Sequence, residues 1–422
     1  MSNNSNFTKL FAGSGAVTLF NALRAFAINK LLAVFLPPAM FACVGQFLNF
    51  MSIGQATSSL ALQNGWTALT AQNKNSMDKL LGVWRGGLRL TTFASLFTFI
   101  AAILFCFMAP LQTLLPGVPT RLSQAAILFA LPGIFATNVI TIAAAVMNGL
   151  GENRKWALIS VVTSMWQVVW VAFFLYTRQL SVLSIIATQS VVAAFFAVQI
   201  ASRAGFSVKR IWKTALDTRS PWFSYALMGI IPMVASPIVL TFMRTTVANH
   251  FGCDAAGIWQ SVWKVSDFLF MAMSAILTVI LLPRVSPKMN RSEFFKMFHP
   301  LLLRIMGIAL AMIVVLYLGR SILVQVLFSQ AYMGAVDYLP LQLVGDFFRA
   351  GGFALALVLI ARRETVAFLV TEIGAELLLA AGTFVGIWFV DFNAPMAAYA
   401  LENFAYFIVL YVLVWRLKWN TP

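Results

Sequence analysis

Twelve apolar segments of about 20 residues each divide the chain and leave little between them. They cover roughly residues 12–35, 39–61, 86–109, 123–147, 156–177, 182–202, 222–249, 257–282, 298–319, 339–361, 366–389 and 396–415. A run of that length and apolarity is what a helix needs to cross a bilayer, with every backbone N–H and C=O satisfied inside the helix. Composition agrees: 61% of the 422 residues are hydrophobic and only 10% are charged, against about 25% charged in a soluble domain. The expected fold class is an all-α polytopic membrane protein of about twelve transmembrane helices. The opening MSNNSNFTKL is polar and leads directly into the first span. That pattern predicts no cleavable signal peptide, the first helix acting as its own insertion signal.

A net charge of +16 in a soluble protein would point to nucleic acid. Here its placement points elsewhere. With the N-terminus in the cytoplasm, about twenty of the 29 Lys and Arg residues fall on cytoplasmic ends, among them Lys74, Lys79, Arg85, Arg154, Lys155, Lys209, Arg210, Lys213, Lys288, Arg291, Arg362 and Arg363. Only Arg121, Arg178 and Arg320 fall on the far side. This asymmetry is the positive-inside rule, and it predicts that both termini are cytoplasmic. The charge is topogenic, and no nucleic-acid partner is expected.

Catalytic and metal-binding signatures do not appear in the sequence. Cys43, Cys106 and Cys253 are an odd number without metal-ligand spacing, so no disulfide framework, metal or other cofactor is expected. There is no Walker loop, no zincin motif and no nucleophile–histidine constellation; the only histidines are His250 and His299. The reading is a transporter and not an enzyme.

The basic loop RAGFSVKRIWKTALDTRSP, residues 203–221, joins segment six to segment seven. It sets the expected domains: a six-helix bundle over 1–205, a basic cytoplasmic linker over 206–220 and a second six-helix bundle over 221–422. RAFAINK in segment one and RTTVANH in segment seven align Arg24 with Arg244 and Asn29 with Asn249, 220 residues apart. An offset of six helices keeps the two copies in the same orientation, which predicts a pseudo-two-fold axis along the membrane normal. Sites in repeat-built transporters lie at the repeat interface, so Arg24 and Arg244 are expected across one cavity from each other.

Five cations sit where lipid would bury them: Arg24, Lys30, Arg244, Lys264 and Arg349. Each costs roughly 2.5–3.5 kcal/mol at a helix centre, a cost tolerated only beside a wet cavity or a partner charge. Arg304 lies within two turns of the cytoplasmic face and is expected to snorkel. Lys264 and Asp267 are three residues apart, as are Asp346 and Arg349, so each pair shares a helix face. Such a pair either lowers the cost of its own burial or lines a cavity where an anion or proton competes for it. Glu372 and Glu376, four apart, form a like-charge face, and two buried carboxylates tend to hold a proton between them. Asp267, Asp346, Glu372 and Glu376 are the ion-coupling candidates, with a weaker claim for Glu402. All the intramembrane carboxylates belong to the second half, whereas the first offers cations and the amides Gln46, Asn49 and Gln55 on segment two. A basic cavity implies an anionic passenger, and Arg24, Lys30, Gln46, Asn49, Arg244, Lys264 and Arg349 are the candidate residues for binding it. His250, the repeat counterpart of Lys30, is read as an interfacial hydrogen-bonder. Gly382 and Gly386 form a small-xxx-small pattern that predicts close helix packing.

Two stretches, GIWQSVWKVSDFLFMAMSAILTVILLPRVS at 257–286 and LQLVGDFFRAGGFALALVLIARRE at 341–364, together with NKLLAVF at 29–35, carry a family resemblance. The chain resembles the Wzx-type lipid-linked oligosaccharide flippases of the multidrug/oligosaccharidyl-lipid/polysaccharide (MOP) exporter superfamily. These include the O-antigen translocases and the enterobacterial common antigen lipid III flippases. The resemblance runs along the whole chain and is strong in segments one, eight and ten. It implies two six-helix bundles in the bacterial inner membrane that carry an undecaprenyl-pyrophosphate-linked oligosaccharide to the outer leaflet. The residues matching the family pattern are Lys30, Arg244, Gln260, Asp267, Asp346 and, as a basic equivalent, Arg349. Arg24 and much of segment two depart from the common antigen branch, which favours an O-antigen repeat unit. The competing readings are a multidrug-type cation exporter, which would want an acidic cavity, and a membrane-embedded polymerase or ligase, which would want a large outer loop. Membrane lipids, a polysaccharide polymerase and a chain-length regulator are the implied partners.

Overall fold

The structure is a computed structural model, and it describes residues 2–108, 111–115, 118–213, 222–281, 285, 290–362, 364–389 and 391–417. Lys288, Arg363 and part of the expected linker, 214–220, lie outside the described residues. Twelve long helical segments follow one another: α1 (Ser2–Phe35), α2 (Pro38–Ser59), α3 (Met77–Met108), α4 (Thr120–Leu150), α5 (Asn153–Thr177), α6 (Val182–Ser202), α7 (Trp222–Phe251), α8 (Cys253–Leu281), α9 (Arg291–Leu318), α10 (Ala335–Ala361), α11 (Thr365–Gly386) and α12 (Ala394–Arg416). Among the described residues nine helices are long and apolar enough to cross a membrane. The chain is a multi-pass membrane protein.

Local sequence sets where these helices stop. Gly151, at φ +80°, ends α4; its N–H donates to Asn148 O, and the next N–H, of Glu152, reaches back to Met147 O. This left-handed closure satisfies carbonyls that the helix end would otherwise strand. Asn290 and Glu293 make a reciprocal capping box at the start of α9. Pro37 and Pro38 separate α1 from α2, since proline lacks the N–H that would continue the first helix and suits the first turn of the second.

The fold divides into two compact units, Met1–Leu31 with Cys43–Ile238, and Leu32–Ala42 with Val239–Pro422. In the first, α4 is half enclosed over its most apolar stretch. A short helix, Gln63–Asn73, packs Trp66 and Leu69 against Trp84, Val146, Ile159 and Trp222. Two indoles of this core are answered inside it, Trp84 Nε1 by Thr70 Oγ1 at 2.9 Å and Trp222 Nε1 by Val83 O at 3.2 Å.

In the second unit α10 is the enclosed span and packs against α8, α9 and α12. Phe294, Phe298, Leu302, Leu355, Val358 and Leu410 form the core at one end. Gly382 and Gly386 of α11 face Ala398 and Ala394 of α12, the close packing that their spacing predicts. The segment Leu32–Ala42 is tied into this unit by three hydrogen bonds. Asp254 Oδ1 accepts from Ala39 N at 3.1 Å, Tyr332 donates to Leu36 O at 3.1 Å, and Ser329 donates to Ala33 O at 2.9 Å. Burial first, and then the Asp254 carboxylate, push the Tyr332 hydroxyl above its ordinary pKa. It therefore stays a donor across the physiological range.

Candidate functional site

In the first unit the guanidinium of Arg24, on α1, donates to Gln167 Oε1 on α5. Gln167 passes the connection on, its Nε2 donating to Ser190 Oγ at 2.9 Å on α6. Ser164, one turn before Gln167, donates to Asn21 Oδ1 at 2.9 Å and fixes the same two helices together. A neutral amide orients Arg24 without cancelling its charge. Beside it lies a cavity of about 140 Å³ lined by Arg24, Gln55, Gln167, Gln189 and Ser190, with Leu48, Met51 and Ile134 among its apolar members. The regular helix of α6 is interrupted at Gln189–Ser190, at the cavity wall. Close by, the Ala187 carbonyl of α6 packs directly onto Gly133 of α4.

The second unit holds a denser polar array. Arg244 of α7 is 4% exposed; its Nε donates to Gln260 Oε1 on α8 at 3.1 Å, a second guanidinium nitrogen shares that oxygen, and the group stands 5.5 Å from the Trp259 ring centre. Lys264 and Asp267 form the i,i+3 ion pair expected from their spacing, at 3.0 Å. Asp346 and Arg349 do not meet directly, as their spacing had suggested. Tyr399 of α12 stands between them, accepting from Arg349 Nη1 at 3.2 Å and donating to Asp346 Oδ1 at 2.7 Å. Ser266 donates to the other Asp346 oxygen at 2.8 Å, and the Arg349 guanidinium lies 3.8 Å from the Phe270 ring centre. Both carboxylate oxygens are thus answered by hydroxyls, and the arginine is shared between a hydroxyl and a ring face. Glu372 accepts from Tyr406, while Glu402 accepts from Asn403 Nδ2 at 2.5 Å. His250 Nδ1 lies 3.3 Å from Thr246 O, and its ring meets Trp388 edge-on.

The candidates therefore separate by unit. Arg24 lines the first unit's cavity with Gln55, whereas Gln46 is buried and Asn49 half-buried outside that lining. Lys30 is half-buried on α1. Arg244, Lys264, Asp267, Asp346, Arg349, Glu372 and Glu376 all belong to the second unit. Sequence reasoning missed Gln167, Gln189, Ser190, Ser266 and Tyr399. The polar triplet Thr188–Gln189–Ser190 in the middle of an apolar segment was a readable signal for two of them.

Among solved structures, the fold is similar to an inward-facing multidrug resistance MATE family transporter of the MOP superfamily, with a TM-score of 0.74 and 14% identity over 94% of this chain and 93% of that one. The fold is that of the MOP transporters. A second MOP superfamily transporter, from Pyrococcus furiosus and described by a reversed polarity of its binding pocket, matches with a TM-score of 0.68 and 16% identity over 94% and 92% of the two chains. Within the MOP fold, sequence similarity falls on the Lipid III flippases of Escherichia coli and Shigella flexneri. Each is 24% identical over 373 residues, covering 87% of this chain and 88% of the relative. No family model matches the chain.

Proposed function

We propose that this chain is a Wzx-type flippase. It moves an undecaprenyl-pyrophosphate-linked oligosaccharide, an O-antigen repeat unit or the common antigen lipid III, from the cytoplasmic to the periplasmic leaflet of the bacterial inner membrane by alternating access with ion coupling. The observation that carries this reading is Arg24, a cation within a membrane span held by a glutamine amide beside a polar cavity. Likeness to the Lipid III flippases over most of both chains supports the same passenger class. A pyrophosphate carries about two negative charges and suits a guanidinium group such as that of Arg244, buried in the second unit. Moving them outward across an inside-negative membrane gains roughly 4.6 kcal/mol per 100 mV, so the potential favours the loaded step. Lipophilic cations, the cargo of a multidrug exporter, would be repelled by the basic first unit. A polymerase and a chain-length regulator are the partners this role calls for. Deleting the gene should accumulate the lipid-linked oligosaccharide in the inner leaflet and remove the surface polysaccharide; normal polysaccharide in the deletion strain rejects the reading.

Orientation gives a second test. In a variant freed of its native cysteines, Gln330→Cys should react with an impermeant thiol reagent from outside, and Ser292→Cys only after the cytoplasmic face is opened. Both positions are exposed. The reverse labelling would place the termini outside and invert the direction of transport.

Coupling gives a third. The double change Glu372→Gln with Glu376→Gln keeps size and hydrogen bonding while removing titration. Turnover in reconstituted vesicles is expected to lose its response to an imposed pH gradient while binding of the lipid-linked sugar persists. An unchanged response would move the coupling role to Asp267 or Asp346.

A further inference from the structure

Two residues that line the cavity beside Arg24 carry buried polar atoms that no protein group answers, the Arg24 Nε donor and the Gln189 Oε1 acceptor. Buried polar atoms without partners are rare, and each calls for a specific explanation. Here one orphan donates and the other accepts. A phosphate or pyrophosphate would satisfy the guanidinium but press acceptor oxygens against the glutamine carbonyl. A hydroxylated ring offers both functions at once. The space is several times the roughly 30 Å³ share of one water molecule and below the 300 Å³ or so of drug-sized pockets, the scale of a single sugar residue. Leu48, Met51 and Ile134 supply an apolar wall for the C–H face of such a ring.

We infer that this cavity is a subsite for one sugar residue of the passenger glycan, and that Arg24 reads the sugar and not the pyrophosphate. Gln167 is engaged at both ends of its amide, by Arg24 and by Ser190, and acts as a positioning residue. Ser52, Thr137 and Gln55 complete the hydroxyl and amide lining that would select among sugar epimers. The inference rests on the flippase reading for the identity of the passenger, but binding at the cavity can be measured without transport.

The test uses the purified full chain in lipid nanodiscs and saturation-transfer NMR. The probes are the methyl pyranosides of glucose, galactose, mannose, N-acetylglucosamine and glucuronic acid, with inorganic pyrophosphate as competitor. At least one glycoside should show saturation transfer that a large excess of pyrophosphate leaves in place. Gln189→Leu, which removes the orphan acceptor without changing charge, should lower that signal at least threefold. Silence from the whole panel overturns the inference, as does displacement by pyrophosphate or an unchanged signal in the leucine variant. Sugar binding that survives in a chain whose deletion leaves surface polysaccharide intact would retain the subsite and reject the flippase.

Discussion

Arg244→Ala should abolish transport, lowering surface polysaccharide about 10- to 100-fold, while the amount of folded protein in the membrane stays close to that of the parent. The guanidinium is buried, grips Gln260 through two nitrogens and stands near the Trp259 ring. Hydrogen bonds to a charged group are worth about 1.5–3 kcal/mol, which sets the size of the expected loss when an anionic passenger forfeits one. Lysine at this position keeps the charge but cannot span two contacts with a planar fork, so Arg244→Lys should recover only part of the activity. The corresponding Arg24→Ala change should also stop transport. Surface polysaccharide measured against membrane protein content separates the outcomes. Normal transport by both alanine variants would make these arginines structural and place the binding site for the passenger elsewhere.

Gly133→Ala should damage both folding and the neighbouring cavity. A Cβ built there would stand 1.8 Å from the Ala187 carbonyl oxygen and 2.9 Å from its carbon, both backbone atoms of α6. A flexible side chain could turn aside; a helix backbone cannot. Ordinary contact begins near 3.4 Å, so α6 must move away by about 1.5 Å. Overpacking of this kind typically costs about 1–3 kcal/mol and sometimes more. The shift would carry Gln189 and Ser190 away from Gln167 and Arg24. The expected result is a fall in thermal midpoint in detergent together with loss of transport. Unchanged stability and activity would show that α4 and α6 do not pack as described.

The spans were legible because length and apolarity are written in consecutive residues, and the bilayer leaves a chain few other solutions. The Lys264–Asp267 pair was legible for a similar reason, since three residues along a helix bring two side chains to one face. That rule failed for Asp346 and Arg349, where the hydroxyl of Tyr399, 53 residues away from the aspartate, occupies the space between them. The Arg24–Gln167 contact joins residues 143 apart. A hydrogen bond to a neutral amide on another helix leaves no charge pattern and no periodicity to read. Membership of Leu32–Ala42 in the second unit likewise depends on Asp254, Tyr332 and Ser329, which are distant in the chain. The segment's own sequence marks only a proline break.

A single residue, Gly252, separates α7 from α8, with its backbone at φ +91°. That link has a consequence for biosynthesis. α7 emerges from the ribosome carrying Arg244, and α8 carries the Gln260 that answers it. Released alone into lipid, α7 would expose a bare guanidinium at a cost of roughly 2.5–3.5 kcal/mol on insertion scales. With one residue between them α7 and α8 are closely tethered, and insertion of the two as a hairpin would bring the arginine into the bilayer already matched. A side chain that resists the left-handed turn at Gly252 would be felt first during membrane insertion, before the transporter has anything to carry.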